Sequence, residues 1–305
     1  MHSESRMAAA QPTWFCSDAS REAGEPLAGT ATRVDAWLLI EHPGAWERKA
    51  LEGSSLPQAV KDQLAAAEKH IPHARVELIK REGRTAQGDF ALFVARSAGP
   101  DTALYRFTLH TYEDLLGLDL AGIVSGDDRY EAYRDAGSLT LVCTHGRRDA
   151  CCARNGLPIY RLLAGRAGAS VWECSHLGGH RLGANVVVLP QGLLYGRVTP
   201  ADVDSILDQD RVHLANLRGR ACYDPPAQAA EIFLRAHLGF NAADGLSLAG
   251  LARADGQPWV ARFTLAGETA YKVTVERVPA GYATYTSCGD ATPSSVEEFR
   301  LVDII

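Results

Sequence analysis

Residues 138–198 read SLTLVCTHGRRDACCARNGLPIYRLLAGRAGASVWECSHLGGHRLGANVVVLPQGLLYGRV, and the order of elements in this stretch decides the fold. Ser138–Cys143 is a short apolar strand, and Leu157–Ala167 has helical spacing with Pro158 in its first turn. Ala169–Cys174 is a second strand. Asn185–Pro190 and Leu193–Val198 are apolar runs on either side of Gln191-Gly192, the signal of a β-hairpin. Pro200 to Leu217 then reads as helical, with Thr199 as its N-cap. The order is β-α-β-β-β-α.

Working outward toward the N-terminus, the same order recurs. Val34–Glu41 is an apolar strand closed by His42-Pro43-Gly44, and Leu56–His70 is a helix with Pro57 near its start. Strands at Ala74–Lys80, Asp89–Ala95 and Leu104–His110 follow, then a short helix over Tyr112–Leu118. The reading is an α/β (α+β) protein with two thioredoxin-like units, 31–125 and 135–220. A loosely ordered arm rich in Ala, Ser, Glu and Gly precedes them over residues 1–30 and contains Cys16. A small α+β appendage follows over 221–305. Within it a helix is expected at Ala227–Leu238, strands at Trp259–Leu265, Ala270–Val278 and Tyr282–Ser287, and a helix start at Ser294–Leu301.

The 305 residues are 46% hydrophobic and 22% charged with a net charge of −6, the balance of a globular protein and not of a basic nucleic-acid binder. The longest apolar runs, such as Trp37–Ile40 and Val186–Leu189, are strand-length and too short to cross a bilayer. No basic flank followed by an apolar stretch opens the chain, so the expected compartment is the cytoplasm. Seven cysteines, four of them between 143 and 174, point in that setting to metal or redox chemistry, not to a disulfide framework.

Two segments concentrate the chemistry. Cys143-Thr-His-Gly-Arg-Arg-Asp-Ala-Cys-Cys152 and Cys174-Ser-His-Leu-Gly-Gly-His180 both leave the carboxyl ends of strands, where open α/β sheets place their sites. Gly178-Gly179 between the histidines disfavours a helix and suits a tight loop, so His176 and His180 can cap one metal ion. Cys143 and Cys152 can hold the same ion or a second one. Tetrahedral Zn²⁺ in a Cys₂His₂ site and a [2Fe–2S] cluster with two cysteines on one iron and two histidines on the other both use these donors. The ligand types alone leave both open.

The segments CTHGRRDACC (143–152) and CSHLGGHRLGANVVVLPQGLLYGRVTP (174–200) resemble the sucrase/ferredoxin-like family, which includes yeast actin-patch-distribution proteins. The stretch EPLAGTATRVDAWLLIEHPGAWERKAL (25–51) resembles its bacterial branch. The pattern SHxGGHxxxxNV, long and specific, carries most of the weight. The resemblance implies a thioredoxin-like ferredoxin domain that binds [2Fe–2S] through two cysteines and two histidines, here Cys143, Cys152, His176 and His180. The second cysteine of the pattern lies three residues after the Arg148-Asp149 pair, hence Cys152 and not its neighbour Cys151. Nothing in the sequence pairs two carboxylates as a glycosidase would require, so the first half of the family name implies no activity.

The surrounding residues have plainer readings beside the functional ones. Cys151, Cys174, Cys222 and Cys288 read as small buried hydrophobes. His145 reads as a core or surface histidine within reach of a cluster sulfur. Arg148 and Asp149 are either a solvated turn with a local ion pair or the residues that order the cysteine loop, Asp149 capping the next helix and Arg148 facing the cluster. Asn185 and Arg197 are scaffolding for the histidine loop. Three functions compete: an electron carrier or redox sensor reduced by a flavin- or thiol-dependent reductase, a zinc-stabilised structural protein, and a thiol oxidoreductase using Cys151 and Cys152. Vicinal cysteines pair under strain and no CxxC is present, which places the third last.

Overall fold

The computed structural model describes residues 14–84, 88–99, 101–166, 168, 170–267 and 269–305. In chain order the elements begin with α1 (Cys16–Glu22), β1 (Ala36–Glu41), α2 (Gln58–His70), β2 (Ala74–Lys80), β3 (Phe90–Arg96) and β4 (Ala103–Leu109). They continue with α3 (Leu120–Ser125), β5 (Arg134–Asp135), β6 (Leu139–Cys143), α4 (Ala150–Ala164), β7 (Val171–Cys174), β8 (Val186–Leu189) and β9 (Leu193–Tyr195). The chain ends with α5 (Val203–Leu207), β10 (Leu217–Arg220), α6 (Pro225–Leu238), β11 (Leu246–Arg253), β12 (Trp259–Leu265), β13 (Thr269–Thr284) and β14 (Ser294–Ile304). Among the described residues no helix is long and apolar enough to cross a membrane.

Ten strands form one sheet in the order β10-β9-β8-β6-β7-β2-β1-β3-β4-β5. Each half repeats one pattern. β1 pairs parallel with β2 through the α2 crossover and antiparallel with β3, which pairs antiparallel with β4. β6 likewise pairs parallel with β7 through α4 and antiparallel with β8, which pairs antiparallel with β9. The two thioredoxin-like halves meet where β2 and β7, the equivalent strands, run antiparallel with Ile79 opposite Cys174 and Lys80 opposite Glu173. Each half thereby covers an edge that the other would leave open to chance pairing.

β1 is buried along its whole length, as a central strand covered on both faces must be. Its side chains alternate: Leu38 and Ile40 enter the core beneath α2, whereas Trp37 and Leu39 join Leu141, Cys143, Trp172 and Cys174 on the opposite face. That second core runs across the β2–β7 junction and packs the two halves as one body.

Several expectations change in the structure. The arm is ordered where it is described: α1 forms, with Cys16 and Ser20 fully buried; residues 1–13 lie outside the described set. The helix expected to start at Leu157 starts at Ala150, because Asp149 caps it, and it runs on through Pro158. Burial of Cys151, Cys152, Ile159, Tyr160 and Leu163 outweighs the missing proline N–H. Ala167 and Ala169, expected as a helix end and a strand start, lie outside the described residues. Pro200–Leu217 is broken: a Thr199–Asp202 capping box opens a 3₁₀ turn that leads into the short α5. In the C-terminal region Ala270–Val278 and the first half of Tyr282–Ser287 belong to one long strand, residues 285–287 leave it for a turn, and β11 adds an unexpected strand. Ser294–Leu301 is not helical but lies in β14, paired with β13. Its charged Glu297-Glu298 and Arg300 imitate an exposed helix face, and only the partner strand shows that they line a sheet.

Candidate metal centre

Cys143 ends β6 and sits in register with Cys174 of the neighbouring parallel strand. The chain then turns through Thr144–Arg148, and Asp149 caps α4 by accepting the backbone N–H of Cys151 at 2.9 Å. Cys152 therefore stands in the first turn of a 15-residue helix, where the unpaired N–H groups and the helix dipole favour negative charge on sulfur. The helix reaches the strand end because of Gly156: a Cβ there would lie 2.0 Å from the Cys143 carbonyl oxygen. The two cysteines converge through that close approach.

The histidine loop follows β7. Gly178 and Gly179 both have left-handed backbone, at φ +87° and +69°. Their missing side chains also leave room for Thr32 and the Arg218 guanidinium. Arg218, fully buried on β10, donates to the Gly178 carbonyl at 3.0 Å and to Asn185 Oδ1 at 2.8 Å. Asn185 Nδ2 in turn donates to the Gly179 carbonyl at 2.9 Å. Every turn of the loop is thus held from its backbone, and the two imidazoles stack with ring centroids 5.0 Å apart.

The donor atoms of Cys143, Cys152 and His176 all lie within 4.8 Å of one another, with Cys152 Sγ 3.9 Å from His176 Nδ1. His180 stands next to this group and not in it; its Nε2 lies 3.7 Å from Asp149 Oδ2. Its Nδ1 is buried with no hydrogen-bond partner. A buried imidazole nitrogen without a partner, beside two thiols and a second imidazole, is the donor set that a thiophilic metal takes. The residues present fit a metal group.

Electrostatics separates the cysteines. The neighbouring Cys152 thiol, together with His176, draws Cys143 well below the ordinary thiol range against its burial, and Cys152 is pushed up by the Cys143 thiolate. Burial pushes Cys174 up, in keeping with a small buried hydrophobe. Burial also lowers His180, with Asp149 pulling the other way.

The N-terminal half supplies part of the site's frame. Glu77 on β2 accepts the backbone N–H of His176 at 2.8 Å and the Ser175 hydroxyl, while Arg75 donates to the His176 carbonyl. His145 Nε2 meets the Glu47 carbonyl at 2.7 Å, and its ring lies edge-on to Trp46. Arg148 makes no ion pair with Asp149; it lines a 460 Å³ cleft together with His145, Arg75 and His176. Arg197, with positive φ, donates to Ser20 Oγ at 2.9 Å and so secures α1 and not the ligands directly. Glu77, Arg75 and Arg218 carry no local motif that would have singled them out in the sequence.

The fold and this site define a thioredoxin-like α/β protein whose cysteine–histidine grouping can hold a metal. Residues 27–219 match the sucrase/ferredoxin-like family, and the chain belongs to it. The match takes in both halves of the ten-stranded sheet and stops short of α6 and the four-stranded sheet. No curated protein and no solved structure matches the chain.

Proposed function

We propose that the protein holds one [2Fe–2S] cluster and works as a one-electron carrier or redox sensor, with Cys143 and Cys152 on one iron and His176 and His180 on the other. The observation that carries this reading is the two-by-two division of the donors: both thiols are sealed in the interior, and both imidazoles are half-buried at its margin. When bound, the cluster would supply a one-electron couple at a potential above that of an all-cysteine cluster, because neutral imidazoles replace anionic thiolates.

The chain's own residues do the rest. Leu177, Cys174 and Leu141 exclude water from the thiol side. Glu77, Arg75, Arg218 and Asn185 fix the backbone of the histidine loop. His176 opens on the cleft, and His180 Nε2 can hold a proton toward Asp149, an arrangement that would link the charge of a bound group to proton uptake. The electron donor in this reading is a flavin- or thiol-dependent reductase.

One observation favours a second reading. Cys143, Cys152 and His176 are close enough to bind a single Zn²⁺, which would make the site a structural clasp. Anaerobic purification with iron, acid-labile sulfide and zinc analysis separates the two, followed by electron paramagnetic resonance after dithionite. Two irons and two sulfides per chain, with a reduced signal altered by His176→Cys or His180→Cys, support the cluster. A colourless protein with one zinc at this site sinks it.

A further inference from the structure

A second grouping of donors lies on the other side of Asp149. Cys16 of α1, Cys151 of α4 and Cys288 of the turn between β13 and β14 bring their sulfurs together: Cys16 to Cys151 is 3.5 Å, Cys151 to Cys288 is 3.4 Å, and Cys288 to Cys16 is 3.6 Å. Asp149 Oδ1 lies 3.8 Å from Cys16 Sγ, and all four donors fall within 4.8 Å of one another. We propose that Cys16, Cys151, Cys288 and Asp149 bind one Zn²⁺ tetrahedrally, as a structural site separate from the cysteine–histidine centre.

The distances argue for a single ion. Zn–S bonds of about 2.3 Å at tetrahedral angles place sulfurs about 3.8 Å apart, so the observed near-equilateral triangle is one face of such a tetrahedron, slightly contracted. A disulfide needs sulfurs about 2.05 Å apart and would leave one of the three thiols over. A multinuclear cluster distributes its thiolates over several irons and needs a wider triangle. Three soft sulfurs exclude Mg²⁺ and Ca²⁺, and a carboxylate as the fourth donor suits Zn²⁺.

The surroundings are those of thiolate ligands. Backbone N–H groups point at the sulfurs: Ser17 N lies 3.4 Å from Cys151 Sγ, and Cys16 N lies 3.5 Å from Cys288 Sγ. Asp149 is fixed in place by Cys151 N at 2.9 Å, Cys288 N at 2.9 Å and Ser287 Oγ at 3.0 Å. The turn bearing Cys288 is itself held by Asp290, whose carboxylate accepts from Thr286 N and Ser287 N. Cys16, Cys151 and Asp149 are buried and Cys288 is partly buried, so two thiols and a carboxylate crowd together away from water with a third thiol at the margin, an arrangement a cation relieves.

The site also accounts for the vicinal cysteines. Neighbours on a helix point in different directions. Cys152 turns toward His176, and Cys151 turns toward Cys16, so each serves a different centre. A Zn²⁺ here would clip the N-terminal helix and the four-stranded sheet to the first turn of α4, closing a loop between positions 16 and 288.

The test uses the full chain as isolated, with zinc counted by elemental analysis and its ligands read by zinc X-ray absorption. The expected result is one zinc per chain with three sulfurs at about 2.3 Å and one light atom at about 2.0 Å. Cys16→Ser and Cys288→Ser each lose that zinc and keep the visible spectrum, and His176→Ala and His180→Ala keep the zinc. A wild-type protein without zinc overturns the proposal, as does a mass two hydrogens low from a Cys16–Cys288 disulfide. A zinc with two sulfurs and two imidazoles overturns it too, and removes the cluster reading at the same time. An absent cluster with a three-sulfur zinc removes only the cluster reading. The absorption measurement needs no variant, so a failure of the serine variants to fold does not affect it.

Discussion

The carboxylate of Glu77, on β2 in the first half of the sheet, accepts the backbone N–H of His176 in the second half at 2.8 Å. The half without the cysteine-bearing loops thus holds the loop that carries the histidines. Its contribution is structural and direct: β2 supplies the edge on which β7 ends, and Ser175 N–H continues the ladder onto the Leu78 carbonyl at 2.9 Å.

Glu77→Ala is expected to cost about 3 kcal/mol, since it breaks a mostly buried pair with Arg75 and leaves the His176 N–H without an acceptor. Urea unfolding measures the loss, and metal retention should fall with it. Glu82→Ala, which removes an exposed partner of Arg161, should change stability by less than about 1 kcal/mol. Equal effects of the two substitutions would contradict the role given to Glu77.

Gly156→Ala should separate the cysteine pair. Its Cβ would lie 2.0 Å from the Cys143 carbonyl oxygen, so α4 must shift, at a cost of about 2–3 kcal/mol. The expected outcome is a lower melting temperature together with loss of metal from the cysteine–histidine centre. Alanine at Gly239, which has open space, keeps the metal; its φ of +63° confines the cost to backbone strain.

Arg218→Leu should loosen the histidine loop while sparing the thiols. The guanidinium is buried, and burial lowers its pKa to about 9, so it is held by the carbonyls and the Asn185 amide around it. Removing it leaves those acceptors unpaired, worth about 1–3 kcal/mol each if they stay dry. Faster metal release to a chelator is the readout, and an unchanged release rate would count against the loop-holding role.

Acid should destabilise the protein through His42. Burial lowers its pKa below the ordinary histidine value, and its Nδ1 is buried without a partner. The unfolded chain takes up a proton near pH 6.5 while the folded one resists. The contribution of His42 is therefore fully present above about pH 6.5 and is lost as pH falls through its lower folded value. His42→Asn should flatten stability against pH between about pH 7.5 and 5.5, measured by urea unfolding; parallel curves would clear His42 of the effect.

If His176 and His180 hold the cluster with their second nitrogens free to titrate, its potential should fall with rising pH by up to about 59 mV per unit. Redox titration from mild acid to strong alkali measures this. A flat potential would remove the proton-coupling role of the histidines.

Most of the centre's parts were legible in the sequence. The two loops stand at strand ends marked by short apolar runs, and Gly178-Gly179 announces a backbone that other residues rarely adopt. The start of α4 is less legible: Pro158 is a strong local signal for a helix N-terminus, whereas the buried face that lets the helix begin after Asp149 leaves no local mark. Cys151 and Cys288 read as small buried hydrophobes and Cys16 as part of a loose arm, since nothing within a few positions of Cys16 or Cys288 marks them as ligands.

The sequence by itself determined the β-α-β-β-β-α order of each half and the residue types at the two loops, because periodicity, caps and turn residues act over a few positions. Only the tertiary structure decided that β2 and β7 join the halves into one sheet, that Glu77 and Arg218 hold the histidine loop, and that Cys16 and Cys288 meet across 272 residues. Strand-edge pairing and buried polar contacts form between residues far apart in the chain. Their partners are chosen by which surfaces the packed core brings together.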